Sequence, residues 1–509
     1  MAYHITVLPQ QMHISAEVGE NLLSCLRRAG MAVDAPCGGE GKCGKCRVLI
    51  DGCEALACHT VINRDIVVTL PASLSQQILT DGRVLHVPGP VREGWLLTFD
   101  IGTTTVVGYL LHDGTEVACE SRSNPQAAFG ADVVSRIGHA LEGQMQALTG
   151  CIRTCLEDIT LSLCQVAKLD AAEIGIVSFV GNPTMQQLFL GLDVENLAKI
   201  PFAPVLTEAS IVSAREYLPC CENAKLLIVP DLSGFVGADT LACVLSTGMH
   251  QQEEMTLLVD IGTNGEMVLG NRHRMLACST AAGPALEGAN IGCGMRGQNG
   301  AIDHVRLENN VFRCSVIGEG KATGICGSGL IDAVAAALKA GLLNSRGRIQ
   351  NESRRIDLTD NIFLTQEDIR QLQLAKGAIR AGIELLAQQM GITPEQIDRV
   401  YLAGAFGSFM DVHSACRIGL LPPQLAGKIT AVGNAAGSGA KLLAMDENAL
   451  RRAQQLVEQI EFVELAALPN FPKTFARQMG FALHASFIPQ NEGGLSLGKL
   501  DHPCPGGRL

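Results

Sequence analysis

The apolar pattern divides the chain before any single residue is considered. Alternation at Ile5 and Val7, and again at Met12 and Ile14, predicts two short strands, after which Leu22, Leu23, Leu26 and Ala29 fall on one side of a helix. RVLI, residues 47–50, reads as a further strand. Residues 74–94 are largely polar, include Val87-Pro88-Gly89-Pro90, and read as a linker that should let the N-terminal domain move. Beyond it come unbroken apolar strands ending at Asp100, at Val180 and at Asp260, each followed by a turn rich in Gly, Thr or Asn. DTLACVLS (239–246) and LIDAVAAALKAGLL (330–343) read as buried helices. Gln366 to Gln389 is a long amphipathic helix whose stripe of Ile369, Leu372, Ala375, Ile379, Ile383 and Leu386 is core rather than a ligand face. The predicted division is 1–73, a 74–94 linker, lobes at 95–249 and 250–485, and a Gly/Pro-rich tail at 486–509 that reads as disordered.

The two aspartate strands are copies of one phrase. Leu96 to Thr105 reads LLTFDIGTTT and Leu257 to Glu266 reads LLVDIGTNGE, so Asp100-Ile101-Gly102-Thr103 returns as Asp260-Ile261-Gly262-Thr263. The spacing is one domain length, which predicts a duplicated lobe. In each copy a buried strand delivers a carboxylate to the sheet edge, and a Gly/Thr turn follows whose NH and hydroxyl groups can face phosphate oxygens. Two such turns facing each other would grip one nucleotide from both sides.

Composition narrows the class. Hydrophobic residues make up 47% of the chain and charged residues 18%, which excludes a mainly disordered protein. A net charge of −12 with no Lys/Arg run argues against nucleic acid as a partner. The N-terminal stretch lacks the pattern of a signal peptide and no apolar run is long enough to span a bilayer, so no membrane association is expected. Nineteen Cys, an odd number scattered through apolar segments, do not make a secreted disulfide framework, and a reducing cytoplasm is the expected location.

Four of those cysteines stand apart. Cys37, Cys43 and Cys46 are followed by Cys58 in LACHT, close to the plant-type spacing of a [2Fe-2S] site with one extra residue in the first gap. Gly38, Gly39, Gly41 and Gly44 let the loop wrap a cluster. Zinc is the competing reading, but Cys37 and a lone Cys58 do not supply a second short pair. The stretch resembles a β-grasp ferredoxin domain. Cys58 is preferred to Cys53 as fourth ligand because LACHT matches the ferredoxin-type ending and Cys53 follows an expected Asp51-Gly52 turn.

The remainder resembles the superfamily of acetate and sugar kinases, heat-shock chaperones and actin, a two-lobed α/β, ribonuclease H-like ATPase fold. The repeated phrases match its phosphate-1 and phosphate-2 turns, and DTLACVLS and the stretch from Gly433 to Ala440 its connecting helices. Gly404-Ala405-Phe406-Gly407, after the strand RVYLAG, matches its adenosine motif. The resemblance implies ATP and Mg²⁺ as cofactors, with Asp100 holding Mg²⁺ through water and Asp260, or alternatively Glu266, orienting the attacking water. It also implies that the backbone from Gly102 through Thr103 to Thr104, and from Gly262 through Thr263 to Asn264, cradles phosphates.

A ferredoxin joined to such an ATPase is a rare pairing. Together with NPQ…GADVVSRI, GNPTM, SGFVGADT, GPALEGANIGCGMRG, LAKGAIRAGI and LAGAFGSF, it is similar to the reductive activators of corrinoid-dependent methyltransferase systems. This implies ATP-dependent return of one electron to a Co(II) corrinoid protein, an upstream electron donor as second partner, and room for a homodimer. Two readings compete: a small-molecule kinase with an attached redox sensor, and a ferredoxin-type carrier on a degenerate ATPase scaffold. The Gly-rich loop at Gly324 to Gly329 opens a helix and raises an anion site as one option, with Cys326 as a redox or simply buried residue.

Overall fold

The computed structural model describes residues 2–481 apart from 9–10, 30, 32, 34, 36–38, 40, 42–44, 71–79 and 83–86. Cys37, Cys43 and the 486–509 tail therefore lie outside the described residues, as does much of the predicted linker.

The N-terminal domain is a five-stranded sheet of β1 (Ala2–Leu8), β2 (Met12–Glu17), β3 (Arg47–Ile50), β4 (Cys53–Leu56) and β5 (Ile66–Thr69), in the order β2-β1-β5-β3-β4. The helix Leu22–Arg28 starts where the Asn21 side chain caps the Ser24 amide, and it buries Leu22, Leu23, Cys25 and Leu26 against Ile5, Val7 and Val68. Asp51 and Gly52 both have positive φ, 50° and 85°, and make the tight turn of the β3–β4 hairpin.

The two lobes repeat one topology. The first contains β6 (Trp95–Ile101), β7 (Thr105–His112), β8 (Thr115–Ser123), β9 (Ile174–Gly181), β10 (Ser210–Ser213) and β11 (Lys225–Ile228). The second contains β12 (Thr256–Ile261), β13 (Gly265–Gly270) and β14 (Met275–Thr280). An inserted sheet of β15 (Ala301–Glu308), β16 (Val311–Val316) and β17 (Gly324–Ile325) follows, then a hairpin of β18 (Arg355–Asp357) and β19 (Phe363–Thr365). β20 (Arg399–Ala403), β21 (Ile429–Gly433) and β22 (Ile460–Phe462) complete it. The sheet orders are β10-β11-β9-β6-β7-β8 and β21-β20-β12-β13-β14-β22. The cores β8-β7-β6-β9-β11 and β14-β13-β12-β20-β21 are equivalent, with each aspartate strand central, antiparallel to the next strand and parallel to a later one. Duplication of the phrase is thus duplication of a sheet.

Helices Ala238–Thr247 and Ala435–Met445 pack against each other in the core shared by the lobes. A Cβ at Gly439 would stand 2.1 Å from the Ala242 carbonyl oxygen, so only glycine permits that approach. The predicted helix 366–389 is observed as Gln366–Met390, started by a Thr365/Asp368 capping box, with the predicted stripe buried.

The linker expectation needs correction. Its described parts, 80–82 and 87–94, lie along the second connecting helix: the Asn434 amide donates to Asp81, the Tyr109 hydroxyl to Thr80, and the Arg92 guanidinium to the carbonyls of Leu443 and Ala444. An arginine anchored on helix C-terminal carbonyls satisfies those orphan acceptors, and the segment is a strap there rather than a free tether. Among the described residues no helix is long and apolar enough to cross a membrane.

Candidate functional site

Three of the sequence motifs converge on the first phosphate turn. The Asn124 side-chain amide donates to the Gly102 carbonyl at 2.8 Å and the Asn182 amide to the Thr103 hydroxyl at 3.1 Å. Arg136, with none of its surface exposed, donates to the Thr103 carbonyl at 2.6 Å and to the Gly130 carbonyl at 3.0 Å. No carboxylate hydrogen-bonds this guanidinium in these contacts, and burial pulls its pKa down to about 10. A buried cation holding the turn from behind favours negative charge in front of it.

The turns themselves differ from the expectation in one respect. The Gly102 amide donates to the Thr105 carbonyl and the Gly262 amide to the Asn264 carbonyl, both at 2.9 Å. These two amides close their own turns, because each Gly-Thr reversal between paired strands needs an internal bond, and phosphate contact falls to the residues after them. The two turns meet across the cleft through a residue the motif reading did not single out. Glu287 accepts from the Thr104 hydroxyl at 3.1 Å and from the Thr263 hydroxyl at 2.5 Å.

Behind the turns lies a cluster of acids. Asp260 and Glu266 are not on one turn but directly opposed across β12 and β13. Asp100 accepts from Asn434 at 2.9 Å, Asp260 lies near the Cys243 thiol at 3.8 Å, and Glu266 accepts from Ser279 at 3.2 Å. Enclosure pushes Asp100 and Asp239 to about 6, Asp260 to about 7 and Glu266 well above its usual range, and repulsion from neighbouring carboxylates adds to the rise at Asp100, Asp260 and Glu266. Asp239 is one of the charges raising Asp100, Asp260, Glu266 and the buried Asp231. It went unassigned in the sequence because SGFVGADT carries no spacing that marks a ligand; its place at the start of the first connecting helix was the available signal.

The donor set fits a hard divalent cation. Clustered carboxylates with no cation partner among them carry a repulsion that such an ion relieves. Among the described residues no three His, Cys, Asp or Glu side chains converge to ligate a metal directly. The sign of the pH effect follows. Carboxyls raised in the folded state stabilise it most below about pH 4, where unfolded carboxyls are also protonated, and that stability is lost as pH rises through 6 to 7. We expect the melting temperature of nucleotide-free protein to fall over that window and Mg²⁺ with ATP to flatten the fall. A melting profile that Mg-ATP leaves unchanged in slope would contradict this.

The residues expected at the adenosine side adjoin the acids. Gly404, at φ 82°, opens the short helix Gly404–Phe409, which contains Ala405, Phe406 and Gly407, and a Cβ on it would meet Asp260 Oδ1 at 2.7 Å. At the Gly324 to Gly329 loop the backbone is occupied instead: a Cβ at Gly327 would lie 1.8 Å from the Leu286 carbonyl, and Cys326 is buried with its thiol 3.3 Å from Ser328 Oγ. A carbonyl against that helix start repels an anion, so the anion option is set aside there.

In the N-terminal domain the Cys46 and Cys58 sulfurs lie 3.1 Å apart as free thiols, within the spread of about 3.8 Å that two thiolates take on one tetrahedral metal at ~2.3 Å. Cys53 is exposed beside the hairpin turn, paired with Ile50 and away from that sulfur pair along the strand. Gly41 has φ 75°, and a Cβ there would strike the His59 ring at 2.1 Å, so this position needs glycine to lie against the residue that follows Cys58. These residues fit an iron–sulfur centre.

Residues 5–63 match the family of 2Fe-2S iron-sulfur cluster binding domains, residues 96–252 the RACo middle region, and residues 254–491 the C-terminal domain of RACo, the ASKHA domain. The corrinoid activation enzyme RamQ of Eubacterium limosum is 37% identical over 410 residues, covering 74% of this chain and 69% of that protein. The chain belongs to the corrinoid activation enzyme family. A second family member, the [Co(II) methylated amine-specific corrinoid protein] reductase of Methanosarcina barkeri, is 31% identical over 327 residues, 57% of this chain and 59% of that one. A solved structure of a reductive activator for corrinoid, iron-sulfur protein superposes with a TM-score of 0.69 at 26% identity, covering 94% of this chain and 98% of that chain. The expected fold is borne out: a [2Fe-2S] ferredoxin-type domain followed by an ASKHA ATPase, with the cluster and ATP as cofactors.

Proposed function

We propose that this family member is an ATP-dependent reductive activator that delivers one electron through its [2Fe-2S] domain to a corrinoid protein whose cobalt has oxidised to inactive Co(II), restoring Co(I). The observation that carries the reading is the joining of the two sites. Lys45, next to Cys46, donates to the carbonyls of Ile291 at 3.2 Å and Gly294 at 2.5 Å, in the same loop whose Glu287 bridges the two phosphate turns. An electron carrier and a nucleotide cleft thus share one loop.

A plant-type cluster works near roughly −400 mV. Co(II)/Co(I) couples lie lower, and each ~59 mV of one-electron gap costs about a factor of ten in equilibrium. ATP closes the gap by changing how the chain engages its corrinoid partner. Within the cleft, Asp100, helped by Asn434, would hold Mg²⁺ through water, and Asp260 would take the proton of the attacking water. Glu266 is the weaker candidate, because burial and the neighbouring Asp239 and Asp260 charges push its carboxyl well above its usual range and disfavour the carboxylate that a base needs. Gly404 to Gly407 provide the face for purine and ribose. The chain's proposed setting is the cytoplasm, with an upstream electron donor as second partner and a homodimer as the proposed assembly.

The kinase reading is tested by product. Incubation with ATP and a Co(II) corrinoid protein should release inorganic phosphate with no phosphorylated metabolite, and a stoichiometric phosphorylated product would overturn the activator reading.

A further inference from the structure

The loop around Glu287 holds a carboxylate where the cleft is built for an anion. Its two oxygens take the Thr104 and Thr263 hydroxyls, one from each phosphate turn. Those hydroxyls line a cavity of about 220 Å³ together with Asp132, Glu287, Arg296 and Lys45, the last contributed by the iron–sulfur domain. Negative charge already in that position would be repelled by a triphosphate, whereas an ammonium at the rim would be drawn to it.

The loop is also stiff enough to pass displacement on. Gly288 follows Glu287 at φ 78°, and a Cβ on it would sit 2.2 Å from the Met295 carbonyl. A Cβ on Gly294 would sit 2.2 Å from the Gly288 carbonyl. The two ends of the turn are therefore in backbone contact, so a displacement of the backbone at Glu287 and Gly288 is carried to Gly294, the acceptor of Lys45.

We propose that Glu287 is an internal stand-in for a nucleotide phosphate and that Lys45 is a phosphate-binding residue supplied by the iron–sulfur domain. The polyphosphate of the nucleotide takes the two threonine hydroxyls, expels Glu287, shifts the 288–295 turn and recruits Lys45 from its carbonyls. Because Lys45 adjoins Cys46, nucleotide occupancy is thereby felt at the cluster loop. The proposal rests on nucleotide binding between the two turns, as in the function proposed above, and adds the residues that exchange there.

The test is binding, measured by calorimetry on the full, cluster-loaded chain with Mg-ATP and with AMP, which lacks the phosphates concerned. Glu287→Gln keeps the shape and removes the charge; it should tighten Mg-ATP about tenfold and leave AMP unchanged. Mg-ATP should change the cluster's EPR line shape in the wild type; Lys45→Met should weaken Mg-ATP about tenfold, again sparing AMP, and should abolish that change. Glu287→Gln is remote in sequence from the cysteines, so it decides the matter even where Lys45→Met loses iron. Mg-ATP affinity in Glu287→Gln equal to or below wild type would overturn the exchange. Equal effects on ATP and AMP would overturn it too, by showing a merely structural role. Failure of the wild type itself to bind Mg-ATP would remove the underlying nucleotide reading, a separately visible result.

Discussion

Cys58→Ser is expected to remove the iron–sulfur chromophore and abolish corrinoid reduction while leaving ATP hydrolysis within about twofold of wild type. The thiol of Cys58 meets that of Cys46 at 3.1 Å, and its amide hydrogen is directed at the same sulfur at 3.4 Å, which places the two to form one end of the proposed cluster site. Serine offers a harder, less acidic oxygen, a poor substitute for thiolate toward iron. The control is Cys53→Ser, at the exposed edge of the hairpin, which should retain about two irons per chain. Iron content with visible absorbance and EPR of the reduced protein checks both. Cluster loss from Cys53→Ser with retention in Cys58→Ser would reverse the ligand assignment.

The second large effect is at the other end of the molecule. Asp260→Asn should preserve Mg-ATP binding and lower hydrolysis by about 10²-fold or more, the usual worth of a positioned base. Asp260 is lifted to about 7, where a carboxylate is both partly ionised and basic enough to take a proton near neutral pH. Glu266 faces it across the strand pair but is held well above its usual range, so Glu266→Gln should cost much less. Asp239→Asn is informative in the opposite sense: removing one of the charges that raises the other acids should stabilise the nucleotide-free fold while weakening the dependence on Mg²⁺. Steady-state phosphate release, with binding measured separately, distinguishes these. Undiminished turnover in Asp260→Asn would move the base elsewhere.

Much of this architecture was legible because its signals are local. The DIGT repeat announced two lobes, since a strand that delivers an aspartate to a glycine turn needs the same few residues each time. The long helix and the cysteine spacing followed from period and from ligand chemistry. What could not be read were the residues that act across sequence distance. Glu287 lies 183 and 24 residues from the two threonines it joins, and Lys45 lies 246 and 249 residues from the carbonyls it touches. No pattern along the chain encodes such a meeting. Asp239 was hidden for a related reason, because a single acid at a helix start reads as an ordinary capping preference. The polar composition of 74–94, with Val87-Pro88-Gly89-Pro90 in it, suggested a free tether. Arg92 reverses that, since one guanidinium finding a helix terminus is enough to strap the segment down.

Joint action of nucleotide and cluster is tested most directly by the visible spectrum of a Co(II) corrinoid partner. The spectrum is followed anaerobically after adding reduced protein, with Mg-ATP, with ADP or with no nucleotide. Co(I) is expected only with Mg-ATP and an intact cluster, and none from Cys58→Ser under any condition. Co(I) forming as fast and as completely without nucleotide would contradict it.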